Sequence, residues 1–130
     1  MDNNFEIKPT ENQIEANLYF NQNKMHKFLE EYNCMHHSYS LFGGSGAPNL
    51  KNTTLIEVAE KYGKTPTQIT LNYLLESNII VIPRTENEDR MTENIDVFDF
   101  KLEPSDRKII ASLDTGRGKD WPKSMNEEFY

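Results

Sequence analysis

The stretch Ile79-Ile80-Val81-Ile82-Pro83-Arg84-Thr85-Glu86-Asn87-Glu88-Asp89-Arg90 decides how this sequence is read. Four β-branched apolar residues in a row, without polar alternation, describe a strand buried on both faces, as a parallel sheet under helices requires. Asn87 offers an N-cap for a helix reaching about Ile95, and Glu88 and Asp89 occupy its first turn, where the helix dipole favours acids. A cation and a hydroxyl, Arg84 and Thr85, therefore stand between the carboxyl end of a strand and the start of a helix. Arg90 follows within the first helical turn, and Glu93 and Asn94 share its face at three- and four-residue spacing. Two guanidiniums beside helix N–H groups suit an anion. By residue type alone, the same stretch also describes a solvated helix with ordinary surface charge.

Working outward, Thr65-Pro66 supplies an N-cap and a proline at N1, so a helix runs through Glu76 with Ile69, Tyr73 and Leu74 inward. The preceding residues 54–62 read as a helix carrying Leu55, Ile56, Val58, Ala59 and Tyr62, with Gly63 as its natural stop. Residues 43–48, Gly-Gly-Ser-Gly-Ala-Pro, are a loop behind an extended segment at 35–39. Residues 24–32 form a helix with Met25, Phe28, Leu29 and Tyr32 on one buried face, and residues 12–16 are a short strand. Downstream, residues 104–113 make a last helix burying Ile109, Ile110 and Leu113. The tail, 114–130, is expected to be irregular, with Trp121, Phe129 and Tyr130 as its large apolar groups. Strands alternating with helices define an α/β class. Three strands alone leave two open sheet edges, which invite self-association.

Composition narrows the function. The chain has 130 residues, room for one small domain, and 36% are hydrophobic. Its 21 acidic residues against 14 basic ones give a net charge of −7, which argues against nucleic acid. No apolar run approaches the roughly 18 residues that span a bilayer. Cys34 is the sole cysteine, so an internal disulfide is impossible, and a buried, inert thiol is expected. No signal-peptide pattern opens the chain, so a cytoplasmic location is the expectation. His26 is placed on the helix surface, and His36 and His37, adjacent on a strand, face opposite ways and cannot chelate one metal together. Tyr19, Tyr32, Tyr62 and Tyr73 have no lysine at a spacing that would lower a phenol's pKa.

The segment around Arg84 resembles the phosphate-binding signature of the aldo-keto reductases: a Lys/Arg-Ser/Thr pair, four residues, Arg, two residues, Glu-Asn, then an aliphatic residue. Arg84, Thr85, Arg90, Glu93, Asn94 and Val97 match it. The resemblance implies that Arg84, Thr85 and Arg90 hold the 2′-phosphate of NADPH, and that Glu93 and Asn94 meet the adenine. Arg84 is a permitted variant whose planar fork grips a phosphate at two points. Glu86 is an unusual residue for a loop facing a phosphate. Residues 8–15, Lys-Pro-Thr-Glu-Asn-Gln-Ile-Glu, are similar to the family's sixth barrel strand, which assigns Gln13 to the nicotinamide carboxamide. The following Asn17-Leu18-Tyr19-Phe20-Asn21-Gln22 departs from a common His-Pro-Tyr-Leu, keeping the Tyr and the Gln. Ser38-Tyr39-Ser40-Leu41-Phe42-Gly43 is similar to the end of the seventh strand. Tyr39 then stacks on the nicotinamide ring, and Ser40, Phe42 and Ser45 belong to the loop over the pyrophosphate. Leu41 stands where the family has proline.

The resemblance runs from about residue 7 to 113. It implies the last three βα units of a (β/α)8 TIM barrel plus a C-terminal accessory helix, an incomplete barrel, since a whole one takes about 250 residues. Residues 1–130 are thus expected to be a partial NADP-dependent oxidoreductase domain. The family's catalytic tyrosine, lysine, aspartate and histidine come from the first half of the barrel, so no position here inherits them. The expectation is a chain that carries the NADP(H) phosphate and adenine segment and does not turn over alone. The alternative is a non-enzymatic half-barrel that binds NADP(H) or a protein partner. Expected partners are a second copy or a complementary half-barrel, with a carbonyl substrate only in a full-length relative.

Overall fold

The computed structural model describes residues 6–118. Strands β1 (Glu11–Glu15), β2 (Met35–Tyr39) and β3 (Ile79–Val81) form one parallel sheet in the order β1-β2-β3. In its register Gln13 faces His37, and His37 faces Ile80. Helix α1 (Asn23–Glu31) connects β1 to β2, while α2 (Thr53–Tyr62) and α3 (Pro66–Leu75) connect β2 to β3. Helices α4 (Glu88–Ile95) and α5 (Pro104–Ala111) follow.

The helix ends obey their residues. The Asn52 side chain accepts from Leu55 N, and Gly63 closes α2 at a φ of 61°, a left-handed conformation that costs glycine little. Thr65 and Gln68 form a reciprocal capping box that starts α3, with Pro66 in its first turn. Asn87 accepts from Arg90 N and starts α4. Pro48–Lys51 adds a 3-10 turn that the glycine-rich loop reading does not anticipate.

Two apolar clusters hold the layers together. Leu18, Leu55, Val58, Ala59, Ile69, Leu102 and Ile110 pack α2, α3 and α5 against one another. Leu41, Leu71, Leu74, Ile79 and Val97 join α3 to β3 and to the segment behind α4. Each fully buried Leu or Ile contributes about 2 kcal/mol by leaving water.

Three burial expectations are corrected. Within the run Ile79 to Ile82 only Ile79 is buried: Ile80 and Val81 are half-buried and Ile82 is 42% exposed. Alternate residues of this strand face the helices and the opposite side of the sheet, and nothing among the described residues covers that opposite side at Ile82. On α1 only Leu29 is buried, while Phe28 is exposed and lies with its ring 4.9 Å from that of Tyr32. On α5 Ile110 is buried and Ile109 is exposed, because one turn of an amphipathic helix presents one of two adjacent residues to the core. Among the described residues no strand pairs with the outer edge of β1 or of β3. Residues 114–118 are irregular as expected, and the Thr115 N–H donates to the Tyr19 carbonyl at 2.8 Å. Trp121, Phe129 and Tyr130 lie outside the described residues.

Candidate functional site

The carboxyl ends of β2 and β3 open into two adjoining grooves. The first, of about 480 Å3, is lined by Phe42, Arg84, Thr85, Arg90, Glu93 and Asn94, with Gly44, Gly46 and Thr67 among its other walls. The second, of about 520 Å3, is lined by Tyr39, Ser40, Phe42, Ser45 and Arg84 together with Ile82 and Pro83. Phe42, Gly44 and Arg84 border both, so the two grooves adjoin across the strand ends and are together called the channel. Nine of the ten residues singled out from the sequence therefore meet here. The tenth, Gln13, lies outside both grooves, exposed on β1. By strand alternation and register it shares the sheet face that carries His37 and Tyr39.

Local geometry prepares the channel for anions. Thr85 Oγ1 accepts from the Asn87 N–H at 3.1 Å, which leaves its own proton to donate outward. Arg84 is almost fully exposed, and its nearest acid, Glu86, sits 3.8 Å away and is equally exposed, so that pair is weak. The guanidinium is thus available to a stronger anion. The loop above is shaped by left-handed residues: Ser40 at φ 59°, Gly43 at 81°, Gly44 at 86°, Gly46 at 78° and Ala47 at 48°. Gly43 is required for a second reason, because a Cβ there would overlap the Asn49 side chain.

The far wall is braced by contacts that sequence reasoning missed. The Thr65 hydroxyl, while capping α3, donates to the Glu93 carboxylate. Gln68 Nε2 donates to the Glu93 carbonyl at 3.3 Å and the Asp96 carbonyl at 2.9 Å, tying α4 to the start of α3. Lys64 reaches Asp99 at 2.7 Å and Asp96 at 3.2 Å. The hydrogen bond to Asp99 is the main reason that the Lys64 pKa is raised, and Lys64 in turn holds the Asp99 carboxyl below the usual range. The Thr65 N-cap was visible in the sequence, but its bond to a residue 28 positions later was not.

Outside the channel, His26 is half-buried, not on the surface as expected: its Nδ1 lies 3.2 Å from the Nδ1 of His36. The short helix α1 lies across β2 and brings the two rings together. Cys34 is buried, as its sequence context suggests. Burial pushes the phenols of Tyr62 and Tyr73 up, so neither is primed as an easily ionised group. No described group of three or more His, Cys, Asp or Glu residues is placed to hold a metal ion, and no described helix is long and apolar enough to cross a membrane.

A parallel α/β layer with a groove across its strand ends places the chain in the α/β class, in which ligands bind at the carboxyl ends of the strands. Comparison with known proteins makes this specific. The family model for the aldo/keto reductase family matches residues 1–115, and the chain belongs to that family. Rho crystallin of Rana temporaria is 33% identical over 116 residues, covering 82% of this chain and 36% of its own length. Methylglyoxal reductase DkgA of Escherichia coli is 33% identical over 111 residues, covering 85% of this chain and 40% of its own length. This chain therefore spans about two-fifths or less of the curated relatives it matches. Among solved structures, an aldo-keto reductase enzyme from a Medee basin deep-sea metagenome library superposes with a TM-score of 0.85 at 33% identity, over 88% of this chain and 43% of that one. A Bombyx mori aldo-keto reductase in complex with NADP gives a TM-score of 0.77 at 32% identity, over 86% of this chain and 39% of that one.

Proposed function

We propose that this chain is the cofactor-binding portion of an NADPH-dependent aldo-keto reductase, corresponding to the last three βα units of a (β/α)8 barrel with α5 as the accessory helix. The observation that carries the reading is that Arg84, Thr85 and Arg90 line one groove at a strand-to-helix junction. Two guanidiniums and a donating hydroxyl match the acceptors of a phosphate monoester, which a nucleotide with a 2′-phosphate presents and one without it lacks.

The residues fit NADP(H). Arg84, Thr85 and Arg90 would clamp the 2′-phosphate, and Glu93 and Asn94, on the same helix face as Arg90, would border the adenine. Loop residues Ser40, Phe42 and Ser45 would cover the pyrophosphate, whose close approach the glycines at 43, 44 and 46 permit. Tyr39 would stack on the nicotinamide and Gln13 would bind its carboxamide. The bound cofactor supplies the hydride for carbonyl reduction; the chain's own residues bind and orient it. The general acid that protonates a carbonyl oxygen is assigned to no residue of this chain, so the chain alone is proposed to bind without turning over.

A second reading, a non-enzymatic half-barrel that binds NADP(H) or a protein partner, draws on the two sheet edges left unpaired among the described residues and on the exposed Met91 and Ile95 of α4 and Phe98 just beyond it. A second copy or a complementary half-barrel would satisfy those groups.

Titration of the purified chain with NADPH, followed by calorimetry, tests the first reading. Saturable binding that Arg90→Ala weakens is expected. No binding at millimolar NADPH would remove the cofactor site, and carbonyl reduction by the pure chain would overturn the claim that it cannot turn over.

A further inference from the structure

Asn17 lies just beyond β1, on a different βα unit from the channel, and its side chain is almost fully buried. Its carboxamide is saturated. Nδ2 donates to the Ser40 carbonyl at 3.4 Å and to Glu15 Oε1 at 3.5 Å; Oδ1 accepts from Asn49 Nδ2 at 3.0 Å and from the Tyr19 N–H at 3.0 Å. Asn49 is equally buried, and its backbone N–H donates to the Phe42 carbonyl at 3.3 Å. Its side-chain oxygen also packs where a Cβ on Gly43 would stand. The Asn17 amide thus holds the channel loop at Ser40, the Asn49 amide holds Asn17 and packs beside Gly43, and Ser40 keeps a positive φ of 59° under that restraint.

We propose that Asn17 and Asn49 are positioning residues that preset the loop over the channel, so that they govern affinity for the pyrophosphate–nicotinamide end of a dinucleotide without touching it. The inference rests on the NADP(H) reading and deepens it. Two physical points carry it. A buried amide that loses its partner leaves donors and acceptors unmet, so the pair resists any loop movement that separates them. A loop held in its bound shape before binding spends less conformational entropy when the ligand arrives. The amide at 17 and the amide at 49 therefore work as a matched pair of this chain.

The experiment compares two ligands on the 130-residue chain. NADPH spans the whole channel, whereas 2′,5′-ADP reaches only the Arg84, Thr85 and Arg90 end. Asn17→Ala is expected to weaken NADPH about tenfold and to leave 2′,5′-ADP within about twofold. Asn17→Ala combined with Asn49→Ala should be little worse than Asn17→Ala alone, because the contact between the two amides is already lost. If Asn17→Ala does not fold, Asn49→Asp, equal in size and unable to donate to Asn17, carries the same test. Equal losses for both ligands would mean general damage and would overturn the inference, as would unchanged NADPH binding in a folded variant. A wild-type chain that binds 2′,5′-ADP as tightly as NADPH also overturns it while leaving the phosphate clamp intact. Binding of neither ligand by the wild-type chain would instead sink the NADP(H) reading itself.

Discussion

The Nδ1 atoms of His26 and His36 lie 3.2 Å apart, so one ring must offer a bare nitrogen to the N–H of the other. His36 is 1% exposed on β2, and its Nε2 has no hydrogen-bond partner among the described residues. His26 projects from α1, where its Nε2 is 3.5 Å from Glu30. Burial first, then the proximity of His26 and His37, holds the pKa of His36 down at about 4 from an ordinary 6.5.

That depression sets an acid limit on stability. The unfolded chain takes up a proton at His36 near pH 6.5, and the folded chain resists it until about pH 4. Stability is therefore full above the unfolded value and falls as pH drops through the interval, by about 3 kcal/mol at pH 4 from this residue. Urea midpoints measured at pH 7, 5.5 and 4.5 should decline for the wild type. They should decline less steeply for His36→Phe. An identical slope in the two proteins would remove His36 from the account.

Asp106 anchors α5 to α2. It accepts from Lys61 Nζ at 2.8 Å and from the Tyr62 hydroxyl at 2.5 Å, while the Tyr62 oxygen accepts from the Glu103 N–H at 2.8 Å. The bond to Lys61, and then that to Tyr62, holds the Asp106 carboxyl below its usual range. This contribution is present at neutral pH and is lost only as pH falls through that lowered value. Asp106→Ala should cost about 2 kcal/mol at pH 7, read as a lower thermal midpoint, and a loss below about 0.5 kcal/mol would show that the contact is spare.

Gly43 and Gly46 both have positive φ, but they should differ in sensitivity. A Cβ at 43 meets the Asn49 side chain, whereas one at 46 has no described atom within 4 Å. Gly46→Ala should cost about 1 kcal/mol from backbone conformation alone. Gly43→Ala should cost that and more, and should also weaken NADPH. Equal thermal midpoints for the two variants would show that the loop yields freely at Asn49.

Discrimination between nucleotides should follow the 2′-phosphate. Loss of charge-assisted hydrogen bonds predicts a drop of about 10- to 100-fold in NADPH affinity for Arg90→Ala, with NADH affinity little changed. Glu86→Gln, which removes the acid 3.8 Å from Arg84, should raise NADPH affinity by a few-fold at low salt and by less at high salt. Calorimetric titration with both nucleotides checks the pair, and parallel losses for NADPH and NADH would place Arg90 away from the 2′ position.

Among the described residues the outer edges of β1 and β3 are unpaired, which predicts concentration-dependent assembly. Sedimentation of the chain from micromolar to submillimolar concentrations should show growth in mass. Ile80→Lys, on the face of edge strand β3 that points away from the helices, should suppress it. A monomer across that range would mean that these edges are protected.

The elements were largely legible before the structure. The uninterrupted Ile79 to Val81 run, the Thr65-Pro66 start and the Gly63 stop each rest on local backbone chemistry, and each appears where local chemistry places it. Arg84, Thr85, Arg90, Glu93 and Asn94, which line one groove, were legible because they sit at fixed spacing on one short junction. Burial was less so. Ile82, Phe28 and Ile109 have the side chains of core residues, yet their exposure depends on what lies opposite, which no local pattern encodes.

The sequence by itself determined the order of strands and helices, the caps that bound them and the spacing of Arg84, Thr85 and Arg90, because periodicity, φ preference and hydrogen-bonding capacity act over a few residues. Only the tertiary structure decided that Thr65 meets Glu93, that His26 meets His36 and that Asn17 reaches across to Ser40 and Asn49. Those contacts join residues from different βα units. The last exists because parallel strands align their carboxyl ends at one edge, and the other two because helices pack over neighbouring strands and over one another.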